Sequence, residues 1–328
     1  MQPNLRTVSR NRSLHRATAT ACCGLLLGSL AWLPAASAQA WVPGKGQGSL
    51  SVIYQQKQST KLTDGGGNAS DFGKTIVRTM NLDIDYGLTD RLALSIGLPF
   101  GSNRYTGNDP HDPRSLPFAN DQRFIDDGSF HSGWTDFSVG LRYQWRTQPF
   151  LITPFIAYSW PSHDYTFFAH SALGAQQWTL QAGVHVGGWL PPPVQNLYWE
   201  AGYAYSFMQP LSHRRINHGT IHLQVGSYVT PRLEVHLLAE HTNSYGPAIN
   251  LPQDFFNPDG TLNPDNLYYH DQLAAARSNR ASVGLSYQIN DRYQLSADLG
   301  RNFNAANVHR WDYEASFGIS RSFSWPER

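Results

Sequence analysis

The feature that most narrows what this chain can become is a two-residue alternation of apolar and polar side chains, repeated segment after segment between very short turns. It is clearest at 83–100, DIDYGLTDRLALSIGLPF. Before the turn Leu82, Ile84 and Tyr86 alternate with Asp83 and Asp85; after it Leu92, Leu94, Ile96, Leu98 and Phe100 alternate with Ala93, Ser95, Gly97 and Pro99. A period of two sends successive side chains to opposite faces of a strand, so each strand has one apolar face and one small or polar face. Thr89-Asp90-Arg91 is turn chemistry, because aspartate bonds its own backbone and tolerates turn geometry. An apolar strand face meets either a protein core or lipid.

The pattern recurs along the chain. Strands are expected at 48–58, 75–86, 92–100, 134–145, 150–160, 178–186, 199–207, 221–226, 233–237, 283–289, 293–299 and 311–319, about twelve of roughly ten residues each. Three turns share one wording, Thr89-Asp90-Arg91, Thr230-Pro231-Arg232 and Asn290-Asp291-Arg292, and two more lie near 148 and 193. Between these short turns come loops at 61–74, 101–132, 161–174, 209–216, 243–277 and 301–309, rich in Gly, Pro, Asn and Asp. No linker divides the chain, so residues 41–328 read as one domain.

Residues 1–40 have the three parts of a cleaved secretory signal: a basic start through Arg16, an apolar middle at 17–33, and small residues at Ala36-Ser37-Ala38 or Ala38-Gln39-Ala40 that place cleavage after 38 or 40. Cys22 as a lipid attachment site and the stretch as an uncleaved anchor are the competing readings. Cys22 and Cys23 are the only cysteines, so the mature chain has no thiol chemistry. Removing the four arginines of the leader from 25 basic residues leaves 21 against 24 acidic ones. That balance speaks against a nucleic-acid partner, which would want a basic surface.

Three features favour lipid over the core of a soluble sandwich. Short turns lie on one side of the strands and loops of up to about thirty residues on the other, as in outer-membrane barrels. Aromatic residues crowd strand ends (Trp134, Trp145, Tyr158, Trp160, Trp178, Trp189, Trp199, Phe207, Trp311), where a barrel carries its interfacial girdles. The faces opposite the apolar ones carry ionisable groups, which a wet lumen accepts. The candidate lumen-lining residues are Asp83, Asp85, Asp136, Arg142, His185, Glu200, His222, Glu234, His236, Glu240, Asp298, Asp312 and Glu314. The expected fold is therefore all-β, a transmembrane antiparallel up-and-down β-barrel in the outer membrane. Its partners would be membrane lipid, a small-molecule solute and, through the aromatic C-terminal strand at Phe317, Ile319, Phe323 and Trp325, the barrel-assembly machinery.

Trp41-Val42-Pro43-Gly44-Lys45-Gly46-Gln47-Gly48 followed by Ser51-Val52-Ile53-Tyr54-Gln55 resembles the outer-membrane family named after the phenol meta-cleavage degradation pathway. So do Asp85-Tyr86-Gly87-Leu88-Thr89-Asp90-Arg91-Leu92 with Leu98-Pro99-Phe100, Asp126-Asp127-Gly128 with Gly133-Trp134-Thr135-Asp136, Pro154-Phe155, and Pro161-Ser162-His163-Asp164-Tyr165. These are turn and strand-end signatures spread over most of the mature chain. The resemblance implies a transporter or channel, and carries no catalytic residue and no cargo.

Signals for other chemistry are sparse. Gly65-Gly66-Gly67 lacks the lysine and helix of a phosphate loop, and no Gly-x-Ser-x-Gly elbow occurs. His241 and Ser244 are residue types of an outer-membrane lipase, but neighbouring strand positions point opposite ways. His185, His222 and His236, with Glu200, Glu234 and Glu240, raise a metal reading against the plainer one of a hydrogen-bonded polar lumen. Asn257-Pro258-Asp259-Gly260 and Asn263-Pro264-Asp265-Asn266 read as two turns without the glutamate that completes a calcium loop. Asp126, Asp127 and His131 read as a solvated or loop-folding set. The expected function is passive passage of small solutes, aromatic or hydrophobic ones among them, with no cofactor and no catalysis, loops 101–132 and 243–277 folding inward to set selectivity. A lipid-modifying enzyme, a surface-interaction barrel and a secreted sandwich are the alternatives.

Overall fold

The computed structural model describes residues 39–194 and 196–325. The proposed signal at 1–40 thus lies, but for its last two residues, outside the described part of the chain. The strands are β1 (Gln47–Thr63), β2 (Ala69–Gly87), β3 (Leu92–Thr106), β4 (His131–Trp134), β5 (Asp136–Tyr143), β6 (Leu151–Pro161), β7 (Thr179–Trp189), β8 (Leu197–Met208), β9 (Asn217–Thr230), β10 (Leu233–Tyr245), β11 (Arg277–Gln288), β12 (Tyr293–Ala306) and β13 (His309–Ser324). Strands β4 and β5 both pair with β3 and are one stave interrupted at Thr135, whose N–H donates to Pro99 O at 3.0 Å. Each stave pairs antiparallel with its chain neighbour, and β1 pairs with β13 from Gln47↔Ser324 to Leu62↔His309. Twelve staves thus close into an up-and-down barrel with no free edge, the condition hydrocarbon imposes on a spanning sheet. Among the described residues no helix is long and apolar enough to cross a membrane.

Side-chain polarity runs opposite to that of a soluble protein. Leu50, Val52 and Tyr54 of β1, Ile221, Leu223 and Val225 of β9, and Phe317 and Ile319 of β13 are exposed on the outer wall. Ser51, Asp83, Arg142, Glu200, Glu234 and Glu314, on the other face, are buried. An exposed apolar belt around a buried polar interior is a surface made for lipid. Trp134, Tyr143, Trp145, Tyr158, Trp189 and Trp325 are exposed near strand ends, where the girdles belong.

The three turns of shared wording fold by one hydrogen-bond pattern. Thr89 Oγ1 accepts from the N–H of Arg91 and Leu92 (3.2 and 2.9 Å), Thr230 Oγ1 from Arg232 and Leu233 (3.3 and 3.0 Å), and Asn290 Oδ1 from Arg292 and Tyr293 (2.9 and 3.0 Å). In each, the first side chain takes the place of a strand partner and closes the turn on the N–H groups two and three residues on.

At the opposite end the strands run further than the alternation suggests. The expected loop at 61–74 is mostly strand, with a tight turn at Asp64–Asn68, and that at 301–309 shrinks to Asn307-Val308 between β12 and β13. These rims stand clear of the apolar belt. Pairing there needs no apolar face, so the periodic signal vanishes while the ladder continues. The remaining loops fold over the mouth. Loop 246–276 packs Ile249, Leu251, Phe255 and Leu273 against Ile216 and Val308, and Phe168 of loop 162–178 meets Ala119 and Tyr268. Ala169 and Ala172 reach Val77 and Trp311 on the strands. The apolar core of this protein is this cap, not the barrel interior. Within it Asn263-Pro264-Asp265-Asn266 is a helix start rather than a free turn: Asn263 Oδ1 caps the N–H of Asn266 at 3.0 Å at the head of α1 (Pro264–Tyr268).

Candidate functional site

Side chains that point inward from adjacent staves meet their neighbours across the ladder, so register decides who touches whom. At the short-turn end the interior opens into a cavity of about 740 Å³ bordered by Ser51, Asp83, Asp85, Ser95 and Arg142. Arg142 Nη2 donates to Asp85 Oδ2 at 2.5 Å, and Ser95 Oγ donates to Asp85 Oδ1 at 2.9 Å. The same guanidinium holds Gln39, through its backbone O (3.1 Å) and its Oε1 (2.7 Å).

Gln39 and Ala40 therefore lie inside the barrel. Ala40 is fully buried; its N–H donates to Glu200 Oε2 at 2.8 Å and its carbonyl accepts from Thr153 Oγ1 at 2.7 Å and Gln144 Nε2 at 3.2 Å. These bonds strap Gln39–Ala40 to the inner wall, with Gln39 bordering the cavity. Trp41 then packs edge-on against Trp189 and Tyr198.

Deeper in, Glu200 faces two imidazoles, His185 Nδ1 at 3.4 Å and His222 Nε2 at 3.2 Å. One step round the wall, His236 lies between Glu234 (3.2 Å) and Asp298 (2.9 Å), and Tyr198 donates its hydroxyl to Glu234 Oε1 at 2.6 Å. Higher still, Glu314 accepts from Arg280 Nε at 2.6 Å and faces Lys57 Nζ at 3.8 Å. Half-buried Glu240 sits in the ladder between His222 and Arg280. Asp136 is buried under the cap, where the hydroxyl of Tyr165 donates to it.

Asp312 does not join them. It is exposed on the outer wall beside Thr60 and Gln58. Pairing between β1 and β13 jumps from Gln58↔Tyr313 to Ser59↔Trp311, which leaves Asp312 as the extra residue of a bulge. A one-residue slip exchanges the faces beyond it. Trp311, expected in the outer girdle, turns inward and stacks on His309 at 5.3 Å, and Asp312 turns outward in its place.

The sequence reading passed over Lys57, Tyr198 and Arg280, which share strand parity with Gln55, Glu200 and Ser282 and could have been placed by that parity. It had no means of finding Gln39 and Ala40. His241 and Ser244 stay apart: Ser244 Oγ pairs with His218 Nδ1 at 3.1 Å, and His241 Nδ1 with Asn279 Oδ1 at 2.8 Å. Asp127 and His131 pair at 2.9 Å, and the carboxylate of Asp126 ties loop 107–130 to loop 162–178 through the N–H groups of His111, His170 and Ser171.

No protein-family model matches the chain, and no curated protein matches it in sequence. Among solved structures it is similar to the COG4313 outer membrane channel from Pseudomonas putida F1, at 18% identity and a TM-score of 0.64 over 88% of this chain and 99% of that one. The KdgM porin aligns at 10% identity and a TM-score of 0.46, over 84% and 99% of the two chains, and the translocator domain of autotransporter NalP from Neisseria meningitidis at 11% and 0.46, over 86% and 90%. The architecture of this chain is that of an outer-membrane β-barrel.

Proposed function

We propose that the chain is an outer-membrane channel for passive passage of small solutes along its polar interior. The observation that carries this reading is the polar cavity of about 740 Å³ at the short-turn end, continuous in chemistry with the charged side chains stacked above it. Twelve staves lie between the eight whose interior side chains fill and the sixteen that leave a wide pore. The similar solved structure from Pseudomonas putida F1 is itself described as an outer membrane channel, which supports the same reading here. Asp83, Asp85, Glu200, Glu234, Glu240, Asp298 and Glu314 line the path against Lys57, Arg142 and Arg280, with Asp291, Arg292 and Arg321 at the cavity, so acids outnumber bases and cations and neutral molecules pass more readily than anions. Aromatic or hydrophobic solutes suit the cap, where Phe168 packs on Tyr268 and is linked through His111 and His170 to Phe72 and Tyr105 of β2 and β3.

With cleavage after Ala38 the Gln39–Ala40 strap stays in the mature chain and, together with the cap, narrows the path, so conductance of the intact barrel is small. Weakening the strap by Arg142→Gln raises it. The test is reconstitution into planar bilayers and liposomes, with current and solute flux measured for both proteins. Absence of current and flux in both would remove the channel reading. The lipid-modifying alternative is disfavoured by Ser244, whose histidine partner His218 is buried inside the wall, away from lipid.

A further inference from the structure

Among the described residues, two groups of histidine and carboxylate side chains bring three ligand atoms within 4.8 Å of one another. One, His111, Asp126 and His170, lies under the cap. Its carboxylate is already committed: Asp126 accepts from the N–H groups of His111 (3.0 Å), His170 (2.9 Å) and Ser171 (2.9 Å) and from Ser171 Oγ (2.7 Å). An ion there would have to break the hydrogen bonds that join two loops.

The other, His185, Glu200 and His222, is differently placed. His185 of β7 and His222 of β9 are both ladder partners of Gly202 in β8, and Glu200 is two residues along the same face. Three side chains from three adjacent staves thus converge over a residue that has none. A Cβ on Gly202 would lie 2.1 Å from His222 Cε1, so only glycine lets the ring settle there. Glu200 Oε2 is fixed by the N–H of Ala40, which leaves Oε1 facing both rings, at 3.4 Å from His185 Nδ1 and 3.2 Å from His222 Nε2. Two ligand atoms held by one tetrahedral ion at its usual bond lengths stand about 3.3 Å apart. The two edges to the carboxylate match that spacing, and the two ring nitrogens lie within 4.8 Å of each other.

His185 supplies the second, independent sign. It is 4% exposed and stacked on Phe155 at 4.6 Å; its Nδ1 faces Glu200 Oε1 at 3.4 Å without the alignment of a hydrogen bond, and its Nε2 has no hydrogen-bond partner. A buried imidazole so poorly satisfied is unfavourable, and an ion at Nδ1 would replace the misaligned contact with a bond.

We propose that His185, Glu200 and His222 form a binding site for a divalent first-row transition ion in the wall of the lumen. Two imidazoles and one carboxylate suit zinc, copper or nickel; magnesium and calcium prefer oxygen ligands alone. Binding requires neutral rings, and the hydrogen bond from His222 to Glu200 gives way to two bonds to the ion. The hydrogen bond from Ala40 to Glu200 plays the orienting part that outer partners of metal ligands commonly play. The site is independent of whether solute passes the barrel.

The test uses the full-length barrel in detergent, its folding checked by the shift in gel mobility on boiling. Zinc chloride is titrated calorimetrically against magnesium and calcium chloride, and retained zinc is counted after dialysis. The expected result is one zinc ion per chain that excess magnesium does not displace. Glu200→Gln and His222→Asn each weaken it at least about tenfold. Gly202→Ala keeps all three ligands and weakens binding by displacing the ring, and His170→Asn in the cap leaves it unchanged. Cobalt bound in place of zinc gives a visible absorption band that His185→Asn abolishes. Zinc binding no stronger than magnesium binding would overturn the proposal, as would folded Glu200→Gln and His222→Asn proteins that keep wild-type affinity, or loss of binding in His170→Asn.

Discussion

Replacing Glu314 by glutamine removes one charge from the most enclosed ion cluster of the lumen. The carboxylate is bonded to Arg280 Nε at 2.6 Å and faces Lys57 Nζ at 3.8 Å, and all three side chains are less than one-tenth exposed. At an effective dielectric constant of about 20, each attraction is on the order of 4–6 kcal/mol. Much of that only offsets the cost of taking the charges out of water. What Glu314→Gln loses is the compensation, because Lys57 and Arg280 remain buried with like charge. Removing one partner of a buried ion pair costs roughly 3–5 kcal/mol. Glutamine keeps the shape and one acceptor, so we expect about 3 kcal/mol, near the low end. Equilibrium unfolding in urea, with the barrel in lipid vesicles and unfolding followed by tryptophan fluorescence, measures it. Adding Lys57→Met to Glu314→Gln should recover part of the loss, since it removes one of the two buried cations that Glu314 faces. A single variant within about 1 kcal/mol of the parent, unaltered by Lys57→Met, would show that lumen water already screens these charges.

Three further outcomes follow from the geometry. Leu223→Arg, on the lipid side near the middle of β9, should destabilise the barrel by about 2–4 kcal/mol in the same assay, while Gln224→Arg on the inner face should cost clearly less; equal losses would contradict the assignment of faces. Asp312→Cys should react with a bulky, membrane-impermeant maleimide far faster than Glu314→Cys, and equal rates would remove the bulge that turns residue 312 outward. Burial, reinforced by nearby His309 and His270, holds the His170 imidazole well below its ordinary range, so it stays neutral in the fold and takes a proton only on unfolding. Its contribution is complete above about pH 6.5 and is lost as pH falls below that value. Protection factors in 162–178, the exchange rates divided into the intrinsic rate at each pH, should fall between pH 7.5 and pH 5, and protection unchanged or higher at pH 5 would refute the sign.

Much of this protein can be read from neighbouring residues alone. Period two states which face of each strand is apolar, and the related Thr-Asp-Arg, Thr-Pro-Arg and Asn-Asp-Arg triplets locate turns that fold by one hydrogen-bond pattern. Signals of that kind act over two to four residues, so they survive in a linear reading. They are strongest where a strand crosses hydrocarbon, because lipid penalises every polar side chain on that face. The same logic explains the failures. The rims at 61–74 and 301–309 are strand without the two-residue alternation, and the slip at Asp312 is a matter of register between β1 and β13 that the alternation around it does not record.

The sequence by itself determined that the chain is a barrel of about twelve staves, greasy outside and polar within, because alternation and turn chemistry are local. Only the tertiary structure decided which polar groups meet: Glu200 with His185 and His222, Arg142 with Asp85 and Gln39, Glu314 with Lys57 and Arg280. Those meetings depend on the register between staves and on where the cap and the Gln39–Ala40 strap come to rest. Both are set by closure of the whole sheet, across separations of up to 257 residues between Lys57 and Glu314, and no short stretch of chain carries that information.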